Sequence, residues 1–146
     1  MVAVRRARPE DVDRVWPLAR DFATSFTPER DVLWSTFREL TARPDTLVVV
    51  ATPQDDPDTL AGYLLASTHL TFLANGPVCS VEELMVDAER RRAGTGAALM
   101  ACARDWAAQQ GCAYVSLASR RAGDFYRALG FEDSAVFFKQ TLTGSG

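Results

Sequence analysis

Three features of the chain carry side chains or spacing suited to chemistry: the adjacent acids Glu82 and Glu83, the phenol of Tyr126, and the run Arg91-Arg92-Ala93-Gly94-Thr95-Gly96. Val81 to Val86 reads as a strand, and the glycine run opens directly into an alanine-rich helix. Glycines without a Cβ let backbone N–H groups approach a ligand closely. The first turn of a helix adds unpaired donors and a partial positive charge. A phosphate or pyrophosphate is the expected guest. Arg90, Arg91 and Arg92 beside the turn, with Arg120 and Arg121 further on, offer a positive rim, although a solvated arginine surface would read the same way. Strand alternation sends Glu82 and Glu83 to opposite faces, so one of them is expected in a cleft. His69, the only histidine, has a suitable intrinsic pKa and stands as the reserve base.

The elements that must hold these groups follow from periodicity and turn residues. Val2 to Arg5 reads as a first strand. A helix follows, with Val12, Val15, Trp16, Ala19 and Phe22 as its apolar stripe and Pro17 as an awkward interior residue. Thr27-Pro28-Glu29 starts a second helix with Val32, Leu33, Phe37 and Leu40 on its apolar face, ending before Pro44. Leu47-Val48-Val49-Val50-Ala51 suits a strand covered on both faces. Leu60 to Phe72 reads as a third strand in which Gly62 marks a bulge, and Asn75-Gly76-Pro77 turns the chain into an antiparallel fourth strand ending at Val86. A helix runs from Gly96 to Gln110 and stops at Gly111. Ala113 to Ala118 makes a fifth strand, parallel to the fourth by the right-handed crossover rule. A short helix from Asp124 to Leu129 and a last strand from Ala135 to Leu142 complete the expectation: one domain over 1–142 and a mobile tail over 143–146.

Arg-x-x-Gly-x-Gly after a strand, followed by Ala122-Gly123-Asp124-Phe125-Tyr126-Arg127-Ala128-Leu129-Gly130-Phe131, resembles the GNAT superfamily of acyl-CoA-dependent N-acyltransferases. The motifs lie in the second half of the chain; the first half agrees in element order. The resemblance implies an α/β (α+β) fold, a mixed sheet of about six strands that is antiparallel through strand four and parallel between strands four and five, flanked by helices. It implies acetyl-CoA as the acyl donor, with the main chain of Leu84, Met85 and Val86 along its pantetheine arm, where a bulge in strand four splays that strand from strand five and leaves backbone donors free. The amides of Arg91, Arg92, Ala93, Gly94, Thr95, Gly96 and Ala97 would surround its pyrophosphate. Tyr126 matches the family tyrosine that protonates the departing thiolate; read without the family, it is equally a core aromatic. Glu82 matches the first acid of the polyamine-acetylating branch and is the favoured base. Where many members carry Asn to contact the cofactor, this chain has Ser119, whose hydroxyl is shorter. The implied acceptor is a small primary amine or a protein N-terminus or lysine, and homodimers are common in the family. The alternative is a GNAT-like module that binds acyl-CoA as a sensor without turnover.

Composition bounds the partners. The 146 residues carry 16 basic and 19 acidic side chains, net charge −3, which gives no general attraction for nucleic acid or an anionic membrane. Cys79, Cys102 and Cys112 are odd in number and are not spaced for zinc, so no metal is expected. With no apolar run of membrane-spanning or signal length, a cytoplasmic protein with free thiols is expected.

Overall fold

A computed structural model describes residues 2–23, 26–91 and 94–143. Among these residues five strands form one sheet in the order of the chain: β1 (Val2–Arg6), β2 (Thr46–Pro53), β3 (Gly62–Leu70), β4 (Pro77–Val86) and β5 (Val115–Leu117). Neighbours are antiparallel through β4, and β4 and β5 are parallel. Four helices cover the faces: α1 (Val12–Phe22), α2 (Arg30–Thr41), α3 (Thr95–Gln109) and α4 (Gly123–Ala128).

β2 is buried along its whole length, as its unbroken apolar run requires. Its alternate residues feed two cores. Leu47, Val49 and Ala51 pack with Leu64, Ala66, Cys79 and Val81 beneath α3. Val48 and Val50 pack with Tyr63 beneath α1 and α2. On α1 the buried stripe is Val12, Val15, Leu18 and Ala19; Leu18 takes the place expected of Phe22, which is exposed. Pro17 sits inside the helix without ending it. The start of α1 is fixed by Asp11, a fully buried carboxylate that accepts from Arg5 at 2.8 and 2.9 Å, from Arg14 at 2.8 Å and from the Arg8 amide at 2.7 Å. Burial alone would raise its pKa, but these donors and charges outweigh it and hold the carboxyl below the usual range.

Two expectations need correction. The last strand is not formed: Ala135 to Leu142 makes no strand pairing, and the sheet has five strands rather than six. Gly62 is not a bulge. A Cβ there would lie 2.6 Å from the Met85 carbonyl oxygen and 3.3 Å from Leu99 Cδ1, so glycine is required by close approach of β3 to β4. The bulge lies on β4 instead, where the register shifts between Leu65 and Ala66: Leu65 pairs with Glu83, Ala66 pairs with Val81, and Glu82 is the extra residue. Of the tail expected to be mobile, 144–146 lie outside the described residues.

Candidate active site

The bulge overturns the alternation expected of the two acids. Cys79 and Val81 face the α3 core, and so does Leu84. An uninterrupted strand could not put 81 and 84 on one side. The residues between them, Glu82 and Glu83, therefore share the opposite face, towards α1 and α2. Glu82 is exposed and accepts a hydrogen bond from the Ser80 hydroxyl at 2.8 Å. Glu83 is half-buried and accepts from the Tyr63 phenol at 2.6 Å, a short charge-assisted bond. Burial, and then the Glu83 charge and hydrogen bond, push the Tyr63 phenol far above its ordinary value, so it stays a donor to Glu83. Glu83 also lines a cavity of about 210 Å3 between α1, α2 and the sheet. His69 is exposed near the far end of β3, paired with Val78 and away from the bulge.

The same stretch of β4 has an open edge. Pairing with β5 ends at Val81–Leu117, so no described strand covers residues 82–86 on that side. The Asp87 amide donates to Ala61 O at 2.8 Å, towards β3. By alternation Met85 also turns its main-chain groups to β3, and those of Leu84 and Val86 point to the open edge. Of the three residues expected along a guest strand, these two offer N–H and C=O groups there. An extended guest that satisfied them would complete the ladder.

Beyond Val86 the chain makes one 3₁₀ turn, Ala88–Arg90, and reaches α3. Gly94 is its N-cap at φ +80°, a left-handed conformation that glycine adopts without strain. Among the described residues, Ala98 is the first of the helix whose amide finds an acceptor in the turn before it, Gly94 O at 3.0 Å. The amides of Thr95, Gly96 and Ala97 precede that first bond and have no acceptor within the helix. A Cβ on Gly96 would meet the Phe125 ring at 3.1 Å and Val86 Cγ2 at 3.8 Å. The second glycine thus lets α4 close over the end of β4 and the start of α3. Arg91 is exposed beside this turn; Arg92 and Ala93 lie outside the described residues.

Thr95 supplies an observation that the motif alone did not. Its side chain is buried, and its Oγ1 has no hydrogen-bond partner among the described residues. A buried hydroxyl in the first turn of a helix whose leading amides have no acceptor within the helix fits a bound anion. Thr95→Val keeps the shape and removes the orphan, so the ligand-free protein is expected to gain about 1 kcal/mol of stability. The same substitution is expected to weaken pyrophosphate binding. Thermal unfolding and calorimetric titration with pyrophosphate check the two halves.

Tyr126 packs edge-on between Phe125, at 4.9 Å between ring centroids, and Phe131, at 5.9 Å. It is half-buried against the α3 core, and burial raises its phenol above the ordinary value, so it is protonated through the neutral range. Ser119 is exposed, and its Oγ accepts the Ala122 amide at 3.0 Å, which shapes the start of α4 and leaves the hydroxyl proton to donate elsewhere. The three cysteines are unpaired. Burial, with a contribution from Cys112, pushes the Cys79 thiol up to about 11. Burial raises Cys102 and Cys112 as well, so none of the three is poised as a thiolate. No helix among the described residues is long and apolar enough to cross a membrane.

Among solved structures, glucosamine-6-phosphate N-acetyltransferase from Arabidopsis thaliana superposes with a TM-score of 0.85 at 17% identity, covering 98% of this chain and 99% of that one. A transcriptional regulator from Bacillus halodurans gives 0.84 at 19% identity over 97% and 100%. An aminoglycoside acetyltransferase from an uncultured soil metagenomic sample, in complex with sisomicin, gives 0.75 at 20% identity over 97% of each chain. At these identities the likeness is one of fold. No curated protein sequence matches the chain. The family model described as Acetyltransferase (GNAT) family matches residues 12–131, which spans both glycine motifs and the bulged strand. The chain belongs to the GNAT acetyltransferase family.

Proposed function

We propose that the protein is a cytoplasmic N-acetyltransferase that transfers the acetyl group of acetyl-CoA to a primary amine by direct attack. The observation that carries this reading is the open edge of β4 at Leu84 and Val86, adjoining the first amides of α3, which have no acceptor within that helix. When bound, acetyl-CoA supplies an activated thioester; the chain supplies the rest. Gly94, Thr95, Gly96 and Ala97, with Arg91, hold the pyrophosphate through main-chain amides and positive charge. Leu84 and Val86 hold the pantetheine arm through their main chain. The acidic face of Glu82 and Glu83 draws in an ammonium and accepts its proton, directly or through water. This is needed because an alkylammonium has a pKa of about 10 and only its neutral form attacks. Glu82 is the acid favoured by resemblance, and Glu83 is the one in the cavity wall. Tyr126 keeps its proton until a departing sulfur takes it.

The test is amine-dependent release of thiol from acetyl-CoA across a panel of primary amines, beside calorimetric titration with acetyl-CoA. Binding with amine-dependent release supports the enzyme. Tight binding with no release across the panel favours the second reading, a non-catalytic acyl-CoA sensor. That reading draws support from Ser119, whose hydroxyl already serves α4, and from the fold shared with a transcriptional regulator. Failure to bind acetyl-CoA would overturn both.

A further inference from the structure

The cavity beneath α1 and α2 has a composition that selects among amines. Val15 and Ala19 of α1, Leu33 and Phe37 of α2, and Val48 and Leu65 of the sheet form its wall. Its carboxylates are Glu83 and Glu29, and the Tyr63 phenol is committed to Glu83. A polycation or a sugar amine placed there would bury several ammonium or hydroxyl groups against aliphatic side chains, at a cost of about 1–3 kcal/mol for each one left unpaired. The volume of about 210 Å3 falls below the roughly 300–1,000 Å3 typical of drug-sized ligands. Resting on the transferase reading above, we propose that this cavity receives the acceptor, and that the acceptor is a primary monoamine on a small aliphatic or aromatic body with its ammonium set against Glu83.

The experiment separates this from the transfer reading by measuring binding without acetyl-CoA. Methyl NMR and calorimetry with phenethylamine and n-hexylamine are expected to show saturable binding with shifts at Val15, Leu33 and Val48. Glucosamine should produce none. Glu83→Gln is expected to weaken the amines at least about tenfold while leaving n-hexanol unchanged. Binding of glucosamine in preference to the apolar amines, or equal loss of amine and alcohol in the variant, overturns the proposal. Saturable binding of the apolar amines with no acetyl transfer to them leaves the pocket standing and counts against the transferase. Transfer confined to sugar amines keeps the transferase and overturns this acceptor class.

Discussion

Tyr126→Phe is expected to lower kcat by about 10²–10⁴-fold, the range for loss of a positioned proton donor, while acetyl-CoA binds as before. The substitution removes one oxygen and keeps the ring, so the edge-on packing with Phe125 and Phe131 survives. The binding proposed above relies on the main chain of β4 and the start of α3, which the phenol does not shape. The pH dependence adds a second signature. Because burial raises the Tyr126 phenol above its ordinary value, the acid form persists through neutral pH, and the wild-type rate should fall only at strongly alkaline pH. In the variant the fall that Tyr126 causes should be gone. Full activity in Tyr126→Phe, under conditions where chemistry limits the rate, would return Tyr126 to the role of a core aromatic.

Gly94→Glu is expected to raise the dissociation constant for acetyl-CoA by more than about 100-fold, equivalent to roughly 2.7 kcal/mol. Its effect on folding should be smaller. A Cβ at this position meets nothing within 4 Å among the described residues, so the side chain does not displace the described core. The backbone at φ +80° costs an L-residue about 1–2 kcal/mol. The carboxylate, in contrast, stands beside the amides that would hold pyrophosphate, where like charge repels the ligand. Gly96→Val would be a poorer probe because Phe125 lies 3.1 Å from the new Cβ, and lost binding could then reflect displaced packing. Titration of Gly94→Glu alongside its thermal unfolding separates the two effects: a cooperative, folded variant that binds normally would remove the glycine turn from the binding site.

The helices and strands were legible because each is specified by neighbours in sequence. The apolar run of β2, the termination of α3 before Gly111 at φ +79° and of α4 before Gly130 at φ +97° all follow from local periodicity and backbone preference. The glycine turn before α3 was legible for the same reason, since an unspent helix N-terminus after a left-handed residue is a local property. Gly62 was misread because a glycine in a strand serves equally for a bulge or for close approach, and only the position of the Met85 carbonyl distinguishes them.

By itself, then, the sequence determined the order of β1 to β5 and the helices between them, the glycine turn before α3 and the set of candidate residues for the proposed chemistry. Tertiary structure alone decided how those residues are arranged. The extra residue at Glu82 depends on the register of β4 against β3, a pairing between segments far apart along the chain. That one shift places both acids on the same face and gives Glu83 the cavity wall. The open edge at Leu84 and Val86 depends on how far β5 runs. Each is a competition between distant strands for the same main-chain hydrogen bonds, and no local propensity encodes its outcome.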